Sequence, residues 1–165
     1  MAGLPDGAPM ETRRDCRVPK EDDVNASPLP AINHTVQLTH EWLADLSGRL
    51  GDIEQKRSYR LLRVALQALR DWLGVNEAAH LGAQLPTLVR GLYYEGWQPA
   101  KTPVRDHGKA AFIARIEKAF ETDPFDDPEE AVYAVFALLN SRISEGEAED
   151  VRGCLPKALR DLWPD

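Results

Sequence analysis

From Val36 onward the apolar residues fall at helical spacing. Trp42, Leu43, Leu46 and Leu50 share one face, while Glu41, Asp45 and Arg49 lie off it. Gly51 is a natural stop for that helix. The next apolar pattern predicts a helix over about Ile53 to Leu73, and between Leu61 and Leu69 it is apolar around much of its circumference, which places it at the centre of a bundle. Ala131 to Leu139, AVYAVFALL, carries no charge at all and predicts a second central helix. A short third helix follows each of these, about Asn76 to Gln84 and Glu145 to Cys154. Ser144 with Glu147 three residues on has the form of a capping box, whereas Gly74 stands at the matching place in the first copy. Leu85-Pro86 and Leu155-Pro156 read as corners opening a fourth helix, because proline disfavours helical geometry in the residue before it and suits the first turn of the next helix. Gln98 to Asp106 has the prolines of a surface linker, a helix over Asp106 to Glu121 restarts the pattern, and Pro128 is placed to begin the helix after it.

These elements repeat. Adding 70 takes Leu85-Pro86 to Leu155-Pro156, Arg90 to Arg160 and Leu92 to Leu162 without a gap, and takes Trp42, Leu43, Leu46 and Leu50 to Phe112, Ile113, Ile116 and Phe120. The expected fold is therefore an all-α helical bundle of about eight segments, arranged as two repeats of a four-segment unit, about 36–97 and 106–165. Residues 1–33, with five prolines among charged and small residues and no surviving period, read as a disordered tail ahead of a single helical domain at 34–165.

Composition narrows the partners. A net charge of −7 repels phosphate backbones, and no basic stripe interleaved with aromatics overrides it, so nucleic acid is not expected. No apolar run approaches the length of a membrane span and the first residues lack a secretory signal, so no membrane is expected and the cytoplasm is the default location. Cys16 and Cys154 form neither a disulfide framework nor a metal-ligand spacing; reduced thiols are expected, with Cys154 buried in its helix.

The run LGVNEAAHLGAQLPTLVRGLYYEGW, preceded by HEWLADLSGRLG and followed by EEAVYAVFALLNSRISEGEAEDVRGCLPKALRDLW, resembles the bacterial family called domain of unknown function 2267, over about His34 to Trp163. The resemblance implies an all-helical domain without an established activity, and so carries over no catalytic residue.

The chemistry in the residues themselves is sparse. Glu77 and His80 have the Glu-x-x-His spacing of di-metal bundles, but the central helices offer no inward carboxylate in their apolar stretches, and caps plus a surface histidine account for the pair. His34, His40, His80 and His107 come with no haem attachment motif. There is no nucleophile elbow and no phosphate-cradling loop. Neither a metal nor a cofactor is expected.

The most suggestive stretch is Leu92-Tyr93-Tyr94-Glu95-Gly96-Trp97. Adjacent tyrosines on a helix point about 100° apart, so Tyr93 is expected in the core, matching Trp163, with Tyr94 and Trp97 either covering the joint between the units or presenting a site. His80 belongs to the first copy alone, since Asp150 replaces it in the second. The resulting candidate binding surface is His80, Arg90, Tyr94 and Trp97, on a non-enzymatic module that binds a protein partner or itself. The alternative is a small-molecule- or metal-binding protein, or an enzyme, with its site near His80, Tyr94 and Trp97.

Overall fold

The computed structural model describes residues 29–106 and 108–164. Among them are eight α-helices and no strand: α1 (Pro30–Arg49), α2 (Gln55–Trp72), α3 (Val75–Gln84), α4 (Thr87–Tyr94), α5 (Lys109–Ala119), α6 (Pro128–Arg142), α7 (Glu145–Cys154) and α8 (Lys157–Arg160). None of these helices is long and apolar enough to cross a membrane. The stretch before residue 29, including Cys16, and His107 lie outside the described residues.

The two helices expected at the centre are there. α2 packs against α1, α4, α5 and α6, and α6 against α1, α2, α5 and α7. Leu61, Leu62, Leu66 and Leu69 of α2 are wholly buried, as are Val132, Val135, Phe136 and Leu139 of α6. Around them Trp72 meets Phe112 edge to face at 5.2 Å, and Phe112 meets Phe136 at 5.9 Å, so rings from α2, α5 and α6 share one core. α3 lies against α7.

Helix ends follow local chemistry. Asp127 accepts from the N–H groups of Glu129 (2.9 Å) and Glu130 (3.2 Å), with Pro128 in the first turn of α6, so both the cap and the pre-set dihedral favour a start there. Ser144 Oγ accepts from Glu147 N at 3.4 Å at the start of α7. Pro86, which has no side-chain oxygen, precedes α4; one N–H of that helix start is met from another helix, where Thr35 Oγ1 of α1 accepts from Leu88 N at 3.3 Å.

Several boundaries differ from those the sequence predicts. α1 begins at Pro30, because a proline suits a first turn and Thr35, buried against α4, anchors the helix upstream of Val36; the four residues 30–33 are therefore helical. α5 is shorter at both ends than Asp106 to Glu121, with Gly108 ahead of it and Phe120 as its C-cap. The connector is more than a surface linker: Pro99–Lys101 forms a 3₁₀ turn, the Thr102–Pro103 bond is cis, and Val104 N donates to Asp71 O at 2.9 Å, which ties the connector to the end of α2. Cys154 is exposed, not buried, because the last residue of α7 faces away from the Ala148 and Val151 stripe that packs inward.

Adding 70 to the end of α1, to both ends of α3 and to the start of α4 gives the end of α5, both ends of α7 and the start of α8. The C-caps Leu50 and Phe120 have φ/ψ of −112/23 and −116/23. Burial follows the same offset, with Trp42 and Phe112, Leu46 and Ile116, Ala78 and Ala148, Leu81 and Val151, Leu85 and Leu155, and Tyr93 and Trp163 all in the core.

Candidate functional site

Tyr93 and Tyr94 end α4, and the helix separates them as its geometry requires. Tyr93 is wholly buried and its hydroxyl donates to Ala78 O of α3 at 2.8 Å. Burial drives its phenol far above the ordinary tyrosine range, so it is a neutral donor at any physiological pH. Tyr94 is half-buried and lies flat along α3, its hydroxyl 3.4 Å from Ala78 O and 3.5 Å from Ala79 O. It fits there because residue 82 is glycine: a Cβ at that position would overlap the Tyr94 hydroxyl and come within 2.6 Å of Cζ. Gly96, at φ +67, turns the chain after α4, and Trp97 folds back to stack on Tyr94 with ring centroids 5.3 Å apart and planes 30° apart. The indole N–H of Trp97 is buried and meets no acceptor among the described residues, whereas that of Trp163 donates to Asn140 Oδ1 at 3.1 Å.

Arg90 is half-buried and turned toward the protein, donating to Ala83 O (3.0 Å) and Leu85 O (2.9 Å) at the end of α3, where helix carbonyls lack intrahelical partners. His80 is exposed on α3. The structure thus brings Tyr94 and Trp97 into direct contact, braces Arg90 of α4 against the end of α3, and leaves His80 on the surface of α3.

The α3–α7 contact sets the electrostatics beside His80. Glu147 is held above the usual carboxylate range by burial and by Asp150 and Glu77, with His80 acting the other way. The Cys154 thiol is also pushed up, by desolvation first and then by Glu77 and Asp150, so it stays protonated and is a poor nucleophile. Among the described residues no group of three or more His, Cys, Asp or Glu side chains is placed to hold a metal ion.

A second polar constellation escapes the sequence reading. Arg70 and Asp71, near the end of the apolar α2, are buried together, joined at 2.9 Å. Arg70 also donates to Tyr93 O and Glu95 O, the free carbonyls at the end of α4, and Arg115 of α5 reaches Asp71 at 2.9 Å. The one available signal is an adjacent Arg-Asp pair in phase with the buried face of a central helix.

A family model described as "Uncharacterized conserved protein (DUF2267)" matches residues 39–162. The chain belongs to the DUF2267 family. The match spans α5, α6 and α7 whole, together with α2, α3 and α4, so both the Tyr94–Trp97 stack and the Arg70–Asp71 pair lie within the DUF2267 region. No curated protein matches the chain.

Proposed function

We propose that this DUF2267 chain is a non-enzymatic cytoplasmic interaction module, made of two copies of one four-segment unit, that binds a protein partner or a second copy of itself through the surface of His80, Arg90, Tyr94 and Trp97. The shared offset of helix ends, C-cap dihedrals and buried positions supports the duplication. The observation that carries the site is the Tyr94–Trp97 stack on Gly82, with its indole N–H facing no acceptor, at places where the second copy has Pro164 for Tyr94 and Arg152 for Gly82. Packing needs bear on both copies alike, whereas recognition need mark only one. A half-exposed aromatic pair braced by an arginine has the make-up of an interface anchor.

The test uses residues 29–165 as bait in the source cell, with His80→Ala and Trp97→Phe beside the unaltered chain. Trp97→Phe keeps a ring on Tyr94 and trims the half-exposed indole face. The reading expects the retained partner, or the self-associated species in sedimentation, to be lost or strongly reduced in both variants at an unchanged melting temperature. Equal capture by all three chains would sink it.

A further inference from the structure

The solvent side of α2 carries a charge unlike that of the whole molecule. Its first half sets Lys56, Arg57, Arg60 and Arg63, with Tyr59 exposed beside them, around a hollow of about 430 Å³. At Arg63 this hollow meets a second one of about 540 Å³ between α2, the connector and α5, to which Arg70, Lys101 and Arg115 contribute. The α2 positions 56, 60, 63, 67 and 70 recur every three or four residues, so they form one continuous stripe. The joined groove holds seven cations against four carboxylates, Glu54, Asp71, Glu95 and Asp123. With a net charge of −7 for the chain, everything outside the groove is more acidic than the whole.

Its internal counter-ions are of two kinds. Asp71 is buried with Arg70 and belongs to the fold. Asp123 and Glu95, in contrast, are half exposed at 50% and 55%, pairing with Arg57 at 3.2 Å, Arg60 at 3.4 Å and Arg63 at 2.7 Å. Exposed pairs of that kind contribute only about 0–1 kcal/mol, so a ligand's carboxylates can take their place. Lys56 and Lys101, both exposed, form no ion pair among the described residues.

We infer that this groove docks a short acidic segment of a protein partner. From Lys56 to Arg70 the helix rises about 21 Å, a length covered by about six residues of extended peptide. Arg60, Arg63 and Arg115, whose side chains are 41%, 42% and 43% exposed, offer planar forks to carboxylates along the groove. A nucleic acid fits less well, because a polyanion longer than the groove runs out over the acidic remainder of the surface, which repels its phosphates. The inference stands apart from the His80 surface, since its probe is a peptide of simple charge and its variants lie elsewhere.

The experiment is fluorescence anisotropy of a labelled hexaglutamate peptide against the full chain at low salt. Saturable binding is expected, weakened about tenfold or more in the Lys56→Glu/Lys101→Glu double variant and by raising the salt. Both lysines are exposed and form no ion pair among the described residues, so the double variant should melt with the unaltered chain, and Lys157→Glu/Arg160→Glu on α8, both exposed, matches its change in net charge. The inference is overturned by the absence of saturable binding, by an affinity indifferent to the double reversal, by an equal loss in Lys157→Glu/Arg160→Glu, or by tighter binding of a thymidine oligonucleotide of matched charge.

Discussion

At the scale of single residues, Gly82 and Arg70 make opposite kinds of demand. Gly82 is needed for what it lacks. Gly82→Ala gains helix propensity yet drives a methyl into Tyr94, and the overlap is expected to win, destabilising the chain by about 1–3 kcal/mol in urea unfolding. Gly153→Ala is the comparison, because a Cβ there meets nothing within 4 Å and the helix should gain about 0.5–1 kcal/mol. Arg70 is needed for its full donor set. Arg70→Ala leaves the buried Asp71 carboxylate with Arg115 alone and frees two carbonyls at the end of α4, so a loss of about 3–5 kcal/mol is expected by the same measurement. A loss under 1 kcal/mol would mean that Arg115 alone suffices for Asp71.

Helices are where reading the sequence succeeded most and where its failures are most instructive. The core stripes, the Asp127–Pro128 start of α6, the Ser144 cap and the two Leu-Pro corners were legible, because each rests on chemistry within a few residues in the chain. The true start of α1 was not, since it depends on Thr35 meeting the N-terminus of α4, a contact 53 residues away in sequence. The Arg70–Asp71 pair was hidden for the same reason: its partners come from α4 and α5. Of the candidate surface, the Tyr93/Tyr94 division followed from helix geometry, but the inward bracing role of Arg90 needed the end of α3 in place. At this scale Asp127→Ala is expected to cost about 1 kcal/mol, and Ser144→Ala less, given its longer bond. Asp45 joins α1 to α6. Burial opposes its ionised form, but hydrogen bonds from Arg49 and Arg142 prevail and leave its pKa below the ordinary value. A depressed folded-state pKa adds stability above the unfolded-state pKa and loses it as pH falls through the folded one. Asp45→Asn should therefore cost up to about 1 kcal/mol at neutral pH, a cost that shrinks away as pH falls through the folded-state pKa, by paired urea titrations.

For the whole molecule, the decisive feature is that the core is shared. α2 packs on α5 and α6, so residues 29–104 alone would expose the buried faces of Leu61 to Leu69 and are expected to give no cooperative melting transition. A chain beginning at Leu29 should melt with the full-length protein, since α1 is then complete; one beginning at Val36 loses Thr35 and should melt lower. The distribution of indoles adds a built-in optical readout. Trp42, Trp72 and Trp163 are 3%, 5% and 4% exposed, while Trp97 lies half-buried at the surface. A collisional quencher such as acrylamide should therefore extinguish chiefly the emission of one tryptophan in four, and anything that settles on that surface would shield it, so docking could be followed by light from the unlabelled protein.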